Sequence, residues 1–160
     1  MTDAAHTKAA RPTLGALAVF IALVVLGGTA IGFLSLPGEW YAALEKPSFN
    51  PPNWIFGPIW SALYVTIAIV GWRSWTYARG SLAMKLWWAQ LVMNLLWTPV
   101  FFEAHQIGAA FAVILILLAL IIGFIATAIK RDRVAAWLFV PYAAWVGFAS
   151  VLNGSIWMLN

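Results

Sequence analysis

The stretch "KPSFNPPNWIFGPIW", residues 46–60, places four prolines and two tryptophans within fifteen positions, between two long apolar runs. Proline fixes φ, lacks a backbone N–H and pushes the residue before it toward extended conformations. The stretch is therefore expected to be extended, stiff and irregular. The runs on either side of it decide what kind of protein carries such a segment.

Of the 160 residues, 64% are hydrophobic and only 9% are charged. Soluble domains are nearer 45–50% apolar and about 25% charged. Too few polar residues are present to cover a water-facing surface, so the composition predicts an all-α integral membrane protein. Cysteine is absent, which excludes disulfides, thiolate ligands and a cysteine nucleophile. The formal net charge is +4, but the charges lie in short segments between apolar runs rather than on one face. No nucleic-acid partner is expected.

A bilayer core needs about 20 apolar residues per helix. No charge lies between Arg11 and Glu39, a window filled by "LGALAVFIALVVLGGTAIGFLSL". Further runs end at Arg73, lie between Lys85 and Glu103, lie between Glu103 and Lys130, and follow Arg133. The third is short unless "SLAM" ahead of Lys85 joins it. The pattern predicts a single-domain bundle of five transmembrane helices, at about 13–36, 54–78, 82–102, 106–129 and 134–157, with a long loop at about 37–53. The basic tail, apolar stretch and small residues "GGTA" also fit a cleaved signal peptide, although the run exceeds a usual one.

Lys8, Arg11, Arg73, Arg79, Lys85, Lys130, Arg131 and Arg133 then share one side, and Lys46 alone lies on the other. That bias predicts the N-terminus inside, and the C-terminus and the proline-rich loop outside. Which membrane holds the chain is not encoded in this pattern. Ordered loops of this length are usually functional.

Eleven tryptophans are far above ordinary usage. An interfacial aromatic belt accounts for Trp54, Trp72, Trp75, Trp87, Trp88, Trp137 and Trp157, at or near predicted span ends. It accounts less well for Trp60, Trp97 and Trp145, which lie deeper; lining a pocket is the other reading. Trp60, Trp97 and Asn94 fall at similar depth, with Trp145 near mid-membrane and Ala149 one turn above it. Gln90, Asn94, Trp97 and Phe101 share one face of the third span, and buried amides must find partners inside a bundle. Interhelical glue is the plainer reading of both amides. Trp137, Pro141, Trp145, Phe148, Ala149 and Leu152 form a stripe on the fifth span, which Pro141 is expected to bend. Gly28 and Gly32 form a small-residue pair suited to close helix approach.

No charged residue is predicted deep in a span, which argues against an ion-coupled pump. His6 and His105 lie in the tail and a turn, so neither a haem axial ligand nor a metal cluster is expected, and no cofactor is. The acids Asp3, Glu39, Glu45, Glu103 and Asp132 lie at membrane edges, away from any hydrolytic triad.

Three stretches, "WYAALEKPSFNPPNWIFGPIWSALY" (40–64), "AQLVMNLLWTPVFF" (89–102) and "AAWLFVPYAAWVGFAS" (135–150), resemble the TspO/MBR family. This family comprises the tryptophan-rich sensory proteins of bacteria and the mitochondrial translocator protein, or peripheral-type benzodiazepine receptor. The resemblance covers almost the whole chain, and the loop together with Asn-x-x-Trp-Thr-Pro is specific to it. It implies a five-helix bundle, often a homodimer, with a pocket closed by the loop after the first helix. The implied ligands are tetrapyrroles such as protoporphyrin IX, synthetic benzodiazepine-site ligands and, in some members, sterols. By motif, the pocket would use Trp40, Tyr41 and Pro51 from the loop, Trp60, Asn94 and Trp97, and Trp145 and Ala149. A stiff loop would lose little entropy on closing, and indoles would offer flat apolar surfaces. The tail "ASVLNGSIWMLN" lacks the tyrosine and basic residue of the animal sterol motif, which lowers the expectation of sterol binding.

The leading reading is thus a membrane receptor for tetrapyrroles that moves them or signals their level. An enzyme is the second reading: light-dependent porphyrin breakdown, with Trp60 and Trp145 as the candidate reactive pair. A sterol- or lipid-binding membrane protein, or a structural one without a saturable ligand, is the third.

Overall fold

A computed structural model describes residues 13–160. Helix α1 runs Leu14–Leu34 and begins at Thr13, whose hydroxyl accepts the Ala16 N–H at 3.3 Å. Its middle, Ala22–Leu26, is wound as a π-helix, a local widening of the turn that recurs near functional sites. A five-residue helix α2, Glu39–Ala43, opens the long connection. Three long helices alternate with short turns after it: α3 (Phe56–Ala78), α4 (Leu82–Phe102) and α5 (Ile107–Ala128). The last, α6, spans Arg133–Leu159. Asp3, His6, Lys8 and Arg11 lie outside the described residues.

Four helical segments among the described residues are long and apolar enough to cross a membrane: Leu14–Leu34, Asn53–Ala78, α5 and α6. The chain is an all-α, multi-pass membrane protein. Helix α4 has the length, 21 residues, but Lys85, Gln90, Asn94 and three indoles dilute its apolar character. "SLAM" does join it, because the Ser81 hydroxyl caps the helix by accepting the Met84 N–H at 3.2 Å.

The proline-rich stretch is extended only as far as Pro52. Asn53–Ile55 is a 3₁₀ turn, and α3 begins at Phe56 with Pro58 inside its first turn. A proline there forfeits no hydrogen bond, because first-turn N–H groups have no intrahelical partner, so the expectation of an extended chain across 53–60 is corrected.

The helices close a ring in the order α1, α3, α6, α5, α4. The first half of α1 lies on α3, and its Gly27–Leu34 end leans against α4. Phe20 and Val24 anchor α1 in the core. Trp87, expected in the aromatic belt, is fully buried. Its indole N–H donates to the Ile67 carbonyl at 3.0 Å, and Gly71 leaves the space the ring occupies, since a Cβ there would collide with it. Trp54, Trp137 and Trp157 are exposed, as a belt requires.

The α5–α6 turn is held by Asp132. Its carboxylate accepts Arg73 Nε and Nη2, both at 2.9 Å, and the Ala135 N–H at 3.1 Å. Partial burial works to raise the Asp132 pKa. The Arg73 hydrogen bonds, the backbone N–H groups and the Arg73 charge outweigh it and hold the carboxyl below its ordinary value. His105 turns the chain between α4 and α5 with φ 54°, a left-handed conformation that few non-glycine residues adopt.

Candidate ligand-binding cavity

Helices α1, α3, α4 and α6 do not close completely at the end that carries α2. A cavity of about 400 Å³ lies between them, within the range of small-molecule sites, about 300–1,000 Å³. Its walls come from the second half of α1, the first half of α3, the second half of α4, Ile114 and Leu117 of α5, and the second half of α6.

Helix α2 covers one end. Tyr41 is buried, packed edge-on against Phe101 and Phe102 at 6.1 and 5.4 Å between ring centroids. Burial raises the pKa of its hydroxyl. The Lys46 ammonium lies 4.6 Å from the Tyr41 ring centroid and donates to the Ala42 and Leu44 carbonyls, closing the end of this short helix. Asn160 ties the next residue of the loop to α6. Its Oδ1 accepts the Glu45 N–H at 3.0 Å, and its Nδ2 donates to the Glu45 carbonyl at 3.1 Å.

Three indoles reach the cavity from three helices: Trp60 from α3, Trp97 from α4 and Trp145 from α6. Trp97 is held on two sides. It stacks on Phe101 at 5.3 Å, and its N–H donates to Asn153 Oδ1 at 3.0 Å, while Asn153 Nδ2 donates to the Ile107 carbonyl. Trp60 packs against Tyr64, and Trp145 against Phe56 and Phe148. The wall amide Asn94 donates from Nδ2 to the Tyr142 hydroxyl at 2.8 Å, and that hydroxyl donates to Gln90 Oε1 at 2.9 Å. Asn94 Oδ1 and Trp145 Nε1 are buried with no protein partner. One acceptor and one donor on wall residues are therefore left over.

Among the described residues, no three His, Cys, Asp or Glu side chains come together to hold a metal ion. Among the described residues, the wall carries apolar groups, hydroxyls, amides and indole N–H groups.

The model of the TspO/MBR family matches residues 20–158. The chain belongs to the TspO/MBR family. It is 36% identical to Protein CrtK of Rhodobacter capsulatus over 145 residues, covering 88% of this chain and 89% of the relative. It is 39% identical to Tryptophan-rich protein TspO of Archaeoglobus fulgidus over 125 residues, 76% of this chain and 80% of that one. The Translocator protein of Homo sapiens is 33% identical over 141 residues, 83% of each chain.

In this TspO/MBR chain, Tyr41, Trp60, Asn94, Trp97, Trp145 and Ala149 line one cavity. Trp40 and Pro51 do not. Trp40 stacks on His105 at 4.1 Å and meets Phe101 edge-on at 5.8 Å. Adjacent helical residues point about 100° apart, and here Tyr41 turns inward while Trp40 faces His105. The Pro51 carbonyl accepts Asn50 Nδ2 within the loop. Tyr64 and Asn153 are wall residues that sequence reading passed over. Each lies four positions after an expected one, Trp60 and Ala149, so helical spacing could have found them. Gly28 lets α1 and the Tyr64 side chain of α3 approach closely, and both Gly28 and Gly32 line the cavity. A Cβ at Gly28 would strike the Tyr64 ring, whereas one at Gly32 meets nothing within 4 Å.

Proposed function

We propose that this TspO/MBR protein is a membrane receptor that binds a tetrapyrrole of the protoporphyrin IX type in the cavity beside α2. On this reading it passes the ligand on or signals its level. The observation that carries the reading is the convergence of Trp60, Trp97 and Trp145, from three helices, on one cavity of about 400 Å³. Flat aromatic walls suit a large planar ring. The unpartnered Asn94 Oδ1 and Trp145 Nε1 suit a ligand with a few polar atoms. The reading includes α4 as a fifth crossing, because Gln90 and Asn94, its two amides, are tied to Tyr142 inside the bundle.

The test is titration of the purified protein with protoporphyrin IX, followed by tryptophan quenching. Saturable quenching that weakens in Trp60→Ala and Trp145→Ala is expected. Quenching that rises linearly with ligand overturns the reading. Product analysis of the loaded protein under light and in the dark separates binding from turnover, because Trp60 and Trp145 stand on the same wall.

A further inference from the structure

The end of the bundle opposite α2 is basic. Arg79 and Lys85 flank the α3–α4 turn, Lys130, Arg131 and Arg133 lie at the α5–α6 turn, and all five are exposed. The acid of the α5–α6 turn does little to offset them, because both Asp132 oxygens accept from Arg73. Residues 1–12 add Lys8 and Arg11 against one acid, Asp3, so they cannot reverse the sign. Such a cluster orients a membrane protein, but orientation needs no shaped apolar surface beside it. Here one runs from Arg133. Arg133, Trp137, Pro141, Ala144 and Phe148 fall at i, i+4, i+8, i+11 and i+15, within about 80° of one another around α6. The first four are exposed and Phe148 is half-buried. Pro141, Ala144 and Phe148 form one bank of an open groove whose other bank is Ile59, Ala62 and Leu63 of α3. The groove opens at Pro141, about 12 Å along the helix from Arg133 at 1.5 Å per residue. One leaflet of a bilayer core is about 15 Å deep, so an acyl chain that starts at Arg133 reaches the groove with its far end.

We infer that this surface binds an anionic phospholipid of the adjoining leaflet. Its phosphate meets the guanidiniums of Arg131 and Arg133, and one acyl chain passes Trp137 into the α3–α6 groove. Guanidinium is the side-chain group best matched to a phosphate, since its planar fork can donate two parallel hydrogen bonds. A zwitterionic lipid brings its own cation to the same place and gains less. A second copy of the chain fits the surface worse. In the same membrane orientation it sets its own Arg131 and Arg133 at the same depth, like charge beside like charge. The site is separate from the α2 cavity and does not depend on what that cavity binds.

The test offers the intact protein, in mild detergent, equal amounts of phosphatidylglycerol and phosphatidylcholine with identical acyl chains. Native mass spectrometry counts the lipid retained. Phosphatidylglycerol is expected to be retained about tenfold over phosphatidylcholine, the scale of two cations near a membrane surface. Joint Arg131→Gln and Arg133→Gln substitution should cut that preference to threefold or less. Lys85→Gln removes a cation of the same end, but from α4, whose neighbours in the ring are α1 and α5. It should change the preference less than twofold. Ala144→Phe, an exposed change that fills the groove, should lower phosphatidylglycerol retention at least threefold. Equal retention of the two lipids, or a preference that survives the double substitution, overturns the inference. An equal loss in Lys85→Gln overturns it in favour of a diffuse basic face. Unchanged retention in Ala144→Phe removes the groove from the site, and a lipid-free dimer that this substitution splits assigns the groove to a second copy; either result overturns the inference.

Discussion

Asn94 and Tyr142 are joined by a buried hydrogen bond of 2.8 Å that links α4 to α6 at the cavity wall. The Tyr142 hydroxyl is also the donor to Gln90, so one oxygen serves two amides. Tyr142→Phe leaves both amides without this partner and should destabilise the protein by about 1–3 kcal/mol. Asn94→Leu breaks the same tie and also removes a wall amide. If Asn94 contacts ligand, Asn94→Leu should weaken porphyrin binding by about 1–2 kcal/mol, roughly five- to thirtyfold, while Tyr142→Phe changes affinity little. Thermal unfolding in detergent and quenching titrations of both variants check this. Equal affinity losses would assign Asn94 to helix packing alone.

Trp60 and Trp145 line the cavity, whereas Trp157 is exposed and packs on Phe111 away from it. Replacing either wall tryptophan with Ala should cost about 2–3 kcal/mol of binding, as for buried aromatic anchors. Replacement with Phe should cost less, and Trp157→Ala should change affinity little. If the protein also degrades porphyrin in light, the Phe variants should retain binding and lose product, because indole is oxidised more readily than benzene. Small, equal effects at all three positions would place the ligand elsewhere.

The reciprocal pair between Asn160 and the Glu45 backbone holds the loop to the end of α6. Asn160→Ala should raise the hydrogen-exchange rate of the Glu45 amide by about tenfold, with core amides of α5 unchanged. Unchanged exchange at Glu45 would show that Tyr41 packing alone seats the loop.

Asp132 has a pKa below its unfolded value, so its ion pair with Arg73 stabilises the fold at neutral pH. The contribution is fully present above the unfolded carboxylate value near ~4 and disappears as pH falls through the lower folded value. Asp132→Asn should therefore lower stability by about 1 kcal/mol at pH 7, a modest figure because both groups are partly solvated. The gap from wild type should shrink below about pH 4. A gap independent of pH would assign the loss to helix capping rather than charge.

Ser48 is exposed in the loop after α2, and the chain has no cysteine of its own. With insertion into an inner membrane, Ser48→Cys should react with an impermeant thiol reagent on intact cells, as the basic-residue bias requires. Labelling confined to lysed cells reverses the orientation.

The sequence by itself determined that the protein is a multi-pass helical membrane protein, because so few polar residues leave no water-facing surface to build. It also carried part of the wall. Trp60, Asn94, Trp97, Trp145 and Ala149 could be singled out by depth and helical spacing, both of which are one-dimensional properties. Tertiary structure alone decided what each side chain meets. Trp87 looked like a belt residue because it stands near a helix end, but Gly71 on another helix makes room for it in the core. Gly28 and Gly32 looked alike as a packing pair, yet only Gly28 seats a neighbouring helix's side chain, the Tyr64 ring, while Gly32 opens on the cavity. Trp40 and Tyr41 are neighbours of similar character, and only the seat of α2 against Phe101 and Phe102 sends Tyr41 inward and leaves Trp40 to His105. A repeat of 3.6 residues assigns a residue to a face, but the neighbouring helix decides whether that face meets lipid, core or cavity.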